Sequence, residues 1–216
     1  MIKQTCIVAV KDGDKVFIGA DSGVTFGSGR QHPHPRSKVF VSGEMLYGGT
    51  GNVRPIQVIE HSVVSPIPYE GQNEYSYIVN SVSMSMRDSL LKAGCLHQYH
   101  GMEWMDAGFL VVLRKKIFYI SDDFGIVEYG EGYGATGSGE EFAFGSLKST
   151  EYLKNKPIKR VRLALEAATQ FNYGVSPPFN IIGMEWKEDG SIVCYNEKDV
   201  AKFEEIEQAS KEEKAF

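Results

Sequence analysis

Cysteine is scarce in this chain: three residues, Cys6, Cys95 and Cys194, stand among 216. They are far apart, odd in number and form no C-x-x-C pair, which excludes a disulfide framework and a Cys-based metal knuckle and fits a reducing cytoplasm. Long apolar runs are also lacking. No stretch approaches the roughly 20 residues a membrane-spanning helix requires. Met1-Ile2-Lys3-Gln4 runs straight into the short apolar segment Cys6–Val10, without the apolar core of a secretory signal. Basic charge is in deficit, with 23 Lys and Arg against 28 Asp and Glu and a formal charge of −5, so the chain has no nucleic-acid footprint. No Walker sequence and no Gly-x-Ser-x-Gly elbow occur, which removes the usual signals of nucleotide hydrolysis and of an α/β-hydrolase serine. What remains is ordinary for a globular protein: 42% hydrophobic and 24% charged residues, enough to bury a sizeable core within one domain.

The hydrophobic pattern supplies the element order. Thr5–Val10 is apolar and β-branched and reads as a buried strand. Asp12-Gly13-Asp14 signals a hairpin, with Lys15–Ala20 returning and Asp21-Ser22-Gly23 ending the pair. Residues 27–35 read as a loop, and Lys38–Val41 with Glu44–Gly48 as a second hairpin. Asn52 is a candidate N-cap for a first helix, residues 73–92 form a second, and Gly94 is its candidate C-cap. Three short strands follow between Gly108 and Tyr129, then a glycine-rich turn over 130–139 and a helix over 140–148. Ile158–Asn172 is amphipathic, with Ile158, Val161, Leu165 and Ala168 on one face. Phe179–Met184 and Ser191–Tyr195 close the strand set, and residues 198–214 read as a charged terminal helix. The order ββ, ββ, αα, βββ, αα, ββ, α groups strands in hairpins and helices in pairs. A doubly wound sheet would alternate them singly. The expected class is therefore α+β: a four-layer αββα sandwich, two largely antiparallel sheets between helix layers.

Two motifs invite chemistry and yield little. Gly132-Tyr133-Gly134-Ala135-Thr136-Gly137 matches G-x-G-x-x-G, yet Glu140-Glu141 opens the following helix where a pyrophosphate would sit, so it reads as a tight strand-to-helix turn. His32-Pro33-His34 and His97-x-x-His100 near Glu103, the latter placed at a helix end, fall short of the three or four ligands a zinc site needs. No metal and no cofactor are expected.

Thr5 acquires interest from its company. Asp21 ends the paired strand, Lys38 opens the next hairpin, and Gly48-Gly49-Thr50-Gly51 and Gly137-Ser138-Gly139 form tight turns before helices. The text Thr5-Cys6-Ile7-Val8-Ala9-Val10, Val16-Phe17-Ile18-Gly19-Ala20-Asp21-Ser22-Gly23-Val24-Thr25, Lys38-Val39, Leu46-Tyr47-Gly48-Gly49-Thr50-Gly51 and Gly137-Ser138-Gly139-Glu140-Glu141-Phe142-Ala143 resembles the proteasome β-subunit family of N-terminal nucleophile (Ntn) hydrolases, especially its compact HslV-like branch. The likeness covers residues 5–195.

The resemblance implies a threonine peptidase in a self-compartmentalised, homo-oligomeric ring, acting on peptides or unfolded proteins. A separate ATP-driven ring would be needed for any unfolding. It implies a leader of residues 1–4 whose removal frees the Thr5 α-amine, a catalytic domain over 5–196, and the charged helix as a C-terminal appendage over 197–216. It implies Thr5 as nucleophile, Lys38 as the cation beside it, Asp21 as the partner of Lys38, the Gly51 N–H as oxyanion donor and Ser138 as a supporting hydroxyl. Thr25, Gly49 and Thr50 would line the substrate cleft. The family usually carries an aspartate late in the core helix. Here Asn172 is the nearest match, and near-isosteric aspartate is expected to fit in its place. Gln4 stands where self-processing members commonly have glycine. Two other readings share these residues: an Ntn amidohydrolase of a small amide, and a non-catalytic subunit that keeps its leader.

Overall fold

The computed structural model describes residues 5–25, 31–33, 36–64, 68–69, 71–153 and 155–212. β1 (Cys6–Asp12) and β2 (Lys15–Asp21) pair antiparallel across a turn in which Gly13 takes φ +57°. A ribbon of β3 (Gly23–Thr25) and β4 (Gln31–Pro33) follows, then the hairpin β5 (Val39–Ser42) and β6 (Met45–Gly51) around Gly43 at φ +58°. α1 spans Val53–Ser62. Residues 74–92 form one helical run: α2 (Glu74–Tyr77), a π-turn over Ile78–Val82, and α3 (Ser83–Lys92). Asn73 caps it by accepting Ser76 N–H at 3.0 Å, and Gly94 follows its end at φ +65°.

β7 (His97–Tyr99) and β8 (Met102–Trp104) make a small hairpin before the meander β9 (Ala107–Leu113), β10 (Lys116–Ile120) and β11 (Ile126–Tyr129). β12 (Tyr133–Gly137) leads to α4 (Glu140–Ser149) and α5 (Pro157–Phe171). β13 (Phe179–Trp186), β14 (Ile192–Tyr195) and α6 (Glu197–Glu212) complete the order.

The strands assemble as two five-stranded sheets, β12-β1-β2-β13-β14 and β11-β10-β9-β6-β5, antiparallel throughout. Strand alternation explains why β1 reads as an unbroken apolar run. Cys6, Val8 and Val10 pack with Val161, Ala164 and Leu165 of α5. Ile7 and Ala9 point the other way, against Val39, Leu46 and Leu110 of the second sheet. The outer face of that sheet packs Tyr47, Phe109 and Val111 on Ile59, Met86 and Leu90 of α1 and α3. Four layers result, as the grouping of elements predicts. Each fully buried Leu or Ile here stabilises by about 1.5–3 kcal/mol relative to exposure. α6 lies on the first sheet, burying Val200, stacking Phe203 edge-on to Tyr195, and pairing Glu204 with Arg162 at 2.6 and 2.7 Å.

Several local expectations are corrected. The G-x-G-x-x-G segment is not a turn but mostly edge strand β12, in register with β1. Its Gly134 serves packing: a Cβ there would stand 2.6 Å from the Tyr129 ring. His97 and His100 belong to the β7–β8 hairpin, not to a helix end, with His100 at φ +50° in its turn. His32 is in β4 rather than a plain loop, and His34 lies outside the described residues. Asn52 occupies the N-cap position of α1 without capping; its side-chain amide reaches Asp106 Oδ2 at 3.5 Å. Among the described residues, no helix is long and apolar enough to cross a membrane.

Candidate active site

Three strand ends converge at one edge of the sandwich. Thr5 immediately precedes β1, Asp21 ends β2, and Lys38 precedes β5. The sheets come close enough beside them that a Cβ on Gly48 of β6 would sit 2.4 Å from the Ile7 side chain. Lys38 reaches across from the second sheet to the first. Its ammonium donates to Thr5 Oγ1 at 2.9 Å, Asp21 Oδ1 at 3.0 Å and the Gly23 carbonyl at 2.6 Å. An ammonium has three N–H donors, and all three are used. The site is buried, with Thr5 4%, Asp21 1% and Lys38 9% exposed. Burial pulls the Lys38 pKa below its ordinary value, while the charge and hydrogen bond of Asp21 oppose that shift.

Asp21 is a hub of donors. Besides Lys38, its Oδ1 accepts Cys6 N–H at 3.0 Å, and its Oδ2 accepts Gly23 N–H at 2.8 Å and Ser176 N–H at 3.3 Å. A Cβ on Gly23 would fall 2.6 Å from Ser176 Oγ and 3.0 Å from Asp21 Oδ2, so a side chain there would push on the groups that surround this carboxylate. The Ser176 segment is tied in again by Ser22, whose N–H reaches Ser176 O at 3.0 Å and whose hydroxyl donates to Pro178 O at 2.6 Å. Cys6, next to the threonine, is no rival nucleophile. Burial first, and then Asp21, push its thiol far above the ordinary range, so it stays protonated.

Ser138 and Asn172 close the other side. Thr5 N–H donates to Ser138 Oγ at 3.3 Å, and the Ser138 hydroxyl has Asn172 Oδ1 at 3.3 Å and Thr5 O at 3.4 Å. Asn172 Nδ2 donates to Ser138 O at 2.6 Å, while its Oδ1 accepts Gly174 N–H at 2.9 Å. Those two backbone partners have opposite polarity, so they demand an amide. This corrects the expectation that aspartate would fit: a carboxylate oxygen would face the Ser138 carbonyl at 2.6 Å. Gly137, at φ +102°, keeps the approach open, since a Cβ would be 2.2 Å from Thr5 O.

Gly51 ends β6 at φ +102°, where a Cβ would meet Asp106 O at 2.4 Å. The Asn52 N–H points at Asp106 O, 3.0 Å away, and the Gly49 N–H points at Lys38 O, also 3.0 Å away. Successive strand amides alternate sides. The Gly51 N–H therefore turns to the side of Lys38, where β5 has already ended at Val39. Gly49 and Thr50 do not offer their side-chain faces to a cleft, which corrects that expectation. The Gly49 face is filled by Ile56, and Thr50 is fully buried with its hydroxyl toward Gly108 O at 3.4 Å. Thr25 closes β3, and its side chain lies outside the described residues, as do residues 1–4, where a leader is expected.

The structure thus brings together Thr5, Asp21, Lys38, Ser138 and Asn172, with Gly51 at the neighbouring strand end. Sequence reasoning missed the Gly23 carbonyl, the Ser176 amide and Asp106. The first two had only a glycine and the Ser176-Pro177-Pro178 punctuation to announce them.

Fold and site define a class: a four-layer αββα sandwich with a buried threonine, lysine and aspartate gathered at the head of its first core strand. No family model matches the chain. An ATP-dependent protease subunit HslV of Thermoanaerobacter pseudethanolicus is 24% identical over 173 residues, 79% of this chain and 92% of that protein. Its counterpart in Caldicellulosiruptor saccharolyticus is 26% identical over 172 residues, 78% and 91% of the two chains. Among solved structures, Thiobacillus denitrificans BPH in complex with epoxomicin matches with TM-score 0.71 at 17% identity, covering 84% of this chain and 99% of that one. A eukaryotic HslV from Trypanosoma brucei matches with TM-score 0.63 at 18% identity, over 83% and 99%. The chain is thus similar in sequence to HslV protease subunits and shares the fold of these solved structures.

Proposed function

We propose that the protein is a threonine peptidase whose nucleophile is Thr5 Oγ1, activated once residues 1–4 are removed. One observation carries the reading: a buried lysine, oriented by a buried aspartate, donates to the threonine hydroxyl at 2.9 Å. A threonine hydroxyl is a weak nucleophile and needs a base. With Lys38 as donor to Oγ1, the hydroxyl keeps its own proton to give away. The Thr5 α-amine, titrating near 8 in model compounds, takes it as Oγ1 attacks the peptide carbonyl carbon. The carbonyl π-pair moves to oxygen, and the Gly51 N–H stabilises that oxyanion. Collapse breaks the C–N bond, and the departing amine takes the proton from the Thr5 ammonium. The acyl ester left on Oγ1 is hydrolysed by water, with the same amine as base. Lys38 remains charged throughout, its cation stabilising negative charge at Oγ1, while Asp21 holds it in place. Ser138 orients the amine.

Protease names among its relatives and the shared fold support this reading. So does the arrangement of Lys38 and Asp21, because a buried charge pair is seldom an economical source of stability. The same reading includes a closed homo-oligomeric ring in a reducing cytoplasm, peptide or unfolded-protein substrates, and a separate ATP-driven partner ring. A single heterologous contact that closes on itself generates such a ring, and sedimentation across a concentration series measures it.

The test of the chemistry compares three preparations on short fluorogenic peptides: chain beginning at Thr5, the same chain carrying Thr5→Ala, and chain retaining residues 1–4. Hydrolysis is expected from the first alone, together with inhibition by epoxomicin, which the structural neighbour from Thiobacillus denitrificans binds. Turnover by the chain wholly retaining Met1 would defeat the α-amine mechanism.

A further inference from the structure

Asp106 lies just before β9 and belongs to no motif in the sequence. It holds φ +50°, a left-handed conformation that aspartate and asparagine tolerate better than most residues. Its main chain and its side chain both bear on the end of β6. The Asp106 carbonyl accepts the Asn52 N–H at 3.0 Å, and the same oxygen stands where a Gly51 Cβ would be, 2.4 Å away. The Asp106 carboxylate reaches back to Asn52 Nδ2 at 3.5 Å and to His97 Nε2 at 2.9 Å. His97 belongs to the β7–β8 hairpin, whose other strand runs directly into Asp106 through Met105. Met105 is fully buried and its N–H donates to Asp122 O at 2.9 Å, so the chain entering Asp106 is anchored independently of the site.

This arrangement constrains one rotation. Glycine at position 51 has no Cβ to limit its φ, so its amide direction must be set by its neighbours. Alternation from Gly49, whose N–H meets Lys38 O at 3.0 Å, puts the Gly51 N–H on the Lys38 side, and the Asp106 carbonyl holds the peptide that follows, which limits the rotation left open at Gly51. We propose that Asp106, steadied by His97, is a positioning residue that fixes the Gly51 N–H in the direction an oxyanion requires. The proposal rests on the reading of Gly51 as oxyanion donor given above. A donor of that kind works only when held to within about 0.5 Å and 10–20° of its productive geometry. Its contribution belongs to the transition state, so loss of alignment lowers kcat and leaves KM in place.

The experiment uses chain beginning at Thr5 with a fluorogenic peptide, and separately follows amide hydrogen exchange over residues 50–53. Asp106→Ala removes both the side-chain tether and the left-handed preference, and a drop in kcat of about tenfold at unchanged KM is expected. Asp106→Asn keeps the backbone preference and a hydrogen-bonding group, and restores kcat to within about twofold of wild type. His97→Ala changes an exposed side chain and leaves the core untouched. It lowers kcat by about two- to fivefold, the scale of an exposed ion pair. The double variant His97→Ala/Asp106→Ala is no slower than Asp106→Ala, because the two act through one linkage. Exchange at the Asn52 amide accelerates in Asp106→Ala and in His97→Ala. Wild-type kcat in a folded Asp106→Ala protein overturns the proposal. Should that variant fail to fold, wild-type kcat and unchanged exchange in His97→Ala overturn it equally. An unmutated Thr5 preparation that hydrolyses nothing refutes the peptidase reading instead, while the exchange measurement still reports whether Asp106 holds the β6 end.

Discussion

Replacing Lys38 by methionine keeps most of the side-chain volume and deletes the charge. Three contacts disappear, to Thr5 Oγ1, Asp21 Oδ1 and the Gly23 carbonyl. Breaking a buried ion pair from one side typically costs about 3–5 kcal/mol. Here Asp21 retains three amide donors, from Cys6, Gly23 and Ser176, so its charge is not stranded. Burying a methionine also avoids the desolvation that Lys38 suffers. The loss expected is therefore the low end, about 3 kcal/mol, which a domain with about 5–15 kcal/mol of stability survives. Activity suffers more. Each unit by which the Thr5 amine pKa rises, once the neighbouring cation is gone, lowers its free-base fraction up to tenfold. Loss of electrostatic support at Oγ1, gauged by removal of an oxyanion donor, costs about 100-fold or more. Together kcat should fall about 100- to 1,000-fold. Peptide hydrolysis gives kcat, and urea unfolding gives the stability change. Asp21→Asn is the contrast: its NH2 group would face N–H donors already pointing at Oδ1 or Oδ2, so it should destabilise more than Lys38→Met does. A folded Lys38→Met protein with wild-type kcat would remove Lys38 from the chemistry and, with it, the observation on which the peptidase reading rests.

Two further outcomes follow from the same geometry. Asn172→Asp should cost about 1–3 kcal/mol at pH 7, because it sets an acceptor against the Ser138 carbonyl; the introduced carboxyl would have a raised folded-state pKa, so the deficit relative to wild type should shrink toward pH 4 when followed by thermal unfolding at several pH values. Lys38 must be charged to act and its pKa lies below the ordinary 10.5, so the alkaline limb of kcat should fall below pH 10.5 and be absent from the residual activity of Lys38→Met. Stability moves oppositely over that window: the unfolded chain holds the Lys38 proton more tightly than the folded one, so this residue's contribution rises with pH between the two pKa values, as urea midpoints should register.

Much of the fold was legible because apolar periodicity is local. β1 and β2 show themselves by β-branched runs, and α5 by the spacing of Ile158, Val161, Leu165 and Ala168, all of which are buried. β12 escaped because Gly134 and Gly137 look like turn residues. One makes room for the Tyr129 ring across a tight local turn and the other for the Thr5 carbonyl, far away in sequence, and neither contact is announced by residue type. The same distinction divides the site. Thr5, Asp21 and Lys38 are chemically conspicuous at strand ends, whereas Ser176 contributes a backbone N–H and Gly23 a backbone carbonyl, which no residue type advertises. Asn172 shows the remaining difficulty. Its position was readable, but its preference for an amide over a carboxylate depends on two main-chain groups that only the folded chain brings together.

If the peptidase reading holds, the hub at Asp21 also bears on when the chain could first act on its surroundings. Its donors at Cys6, Lys38 and Ser176 lie 15, 17 and 155 positions away along the chain. They come from β1, from the approach to the second sheet, and from the segment that follows α5. Closing contacts of such different span is among the slower parts of folding, because the longest loop carries the largest entropic cost. A chain still emerging from the ribosome has made the threonine, the aspartate and the lysine long before residue 176 exists. The carboxylate that orients Lys38 acquires the Ser176 amide only after residue 176 has been made. On the peptidase reading proposed above, competence would be tied to formed topology rather than to the mere presence of the reactive side chains, so a nascent or half-folded chain carries the parts of the site without the geometry to use them.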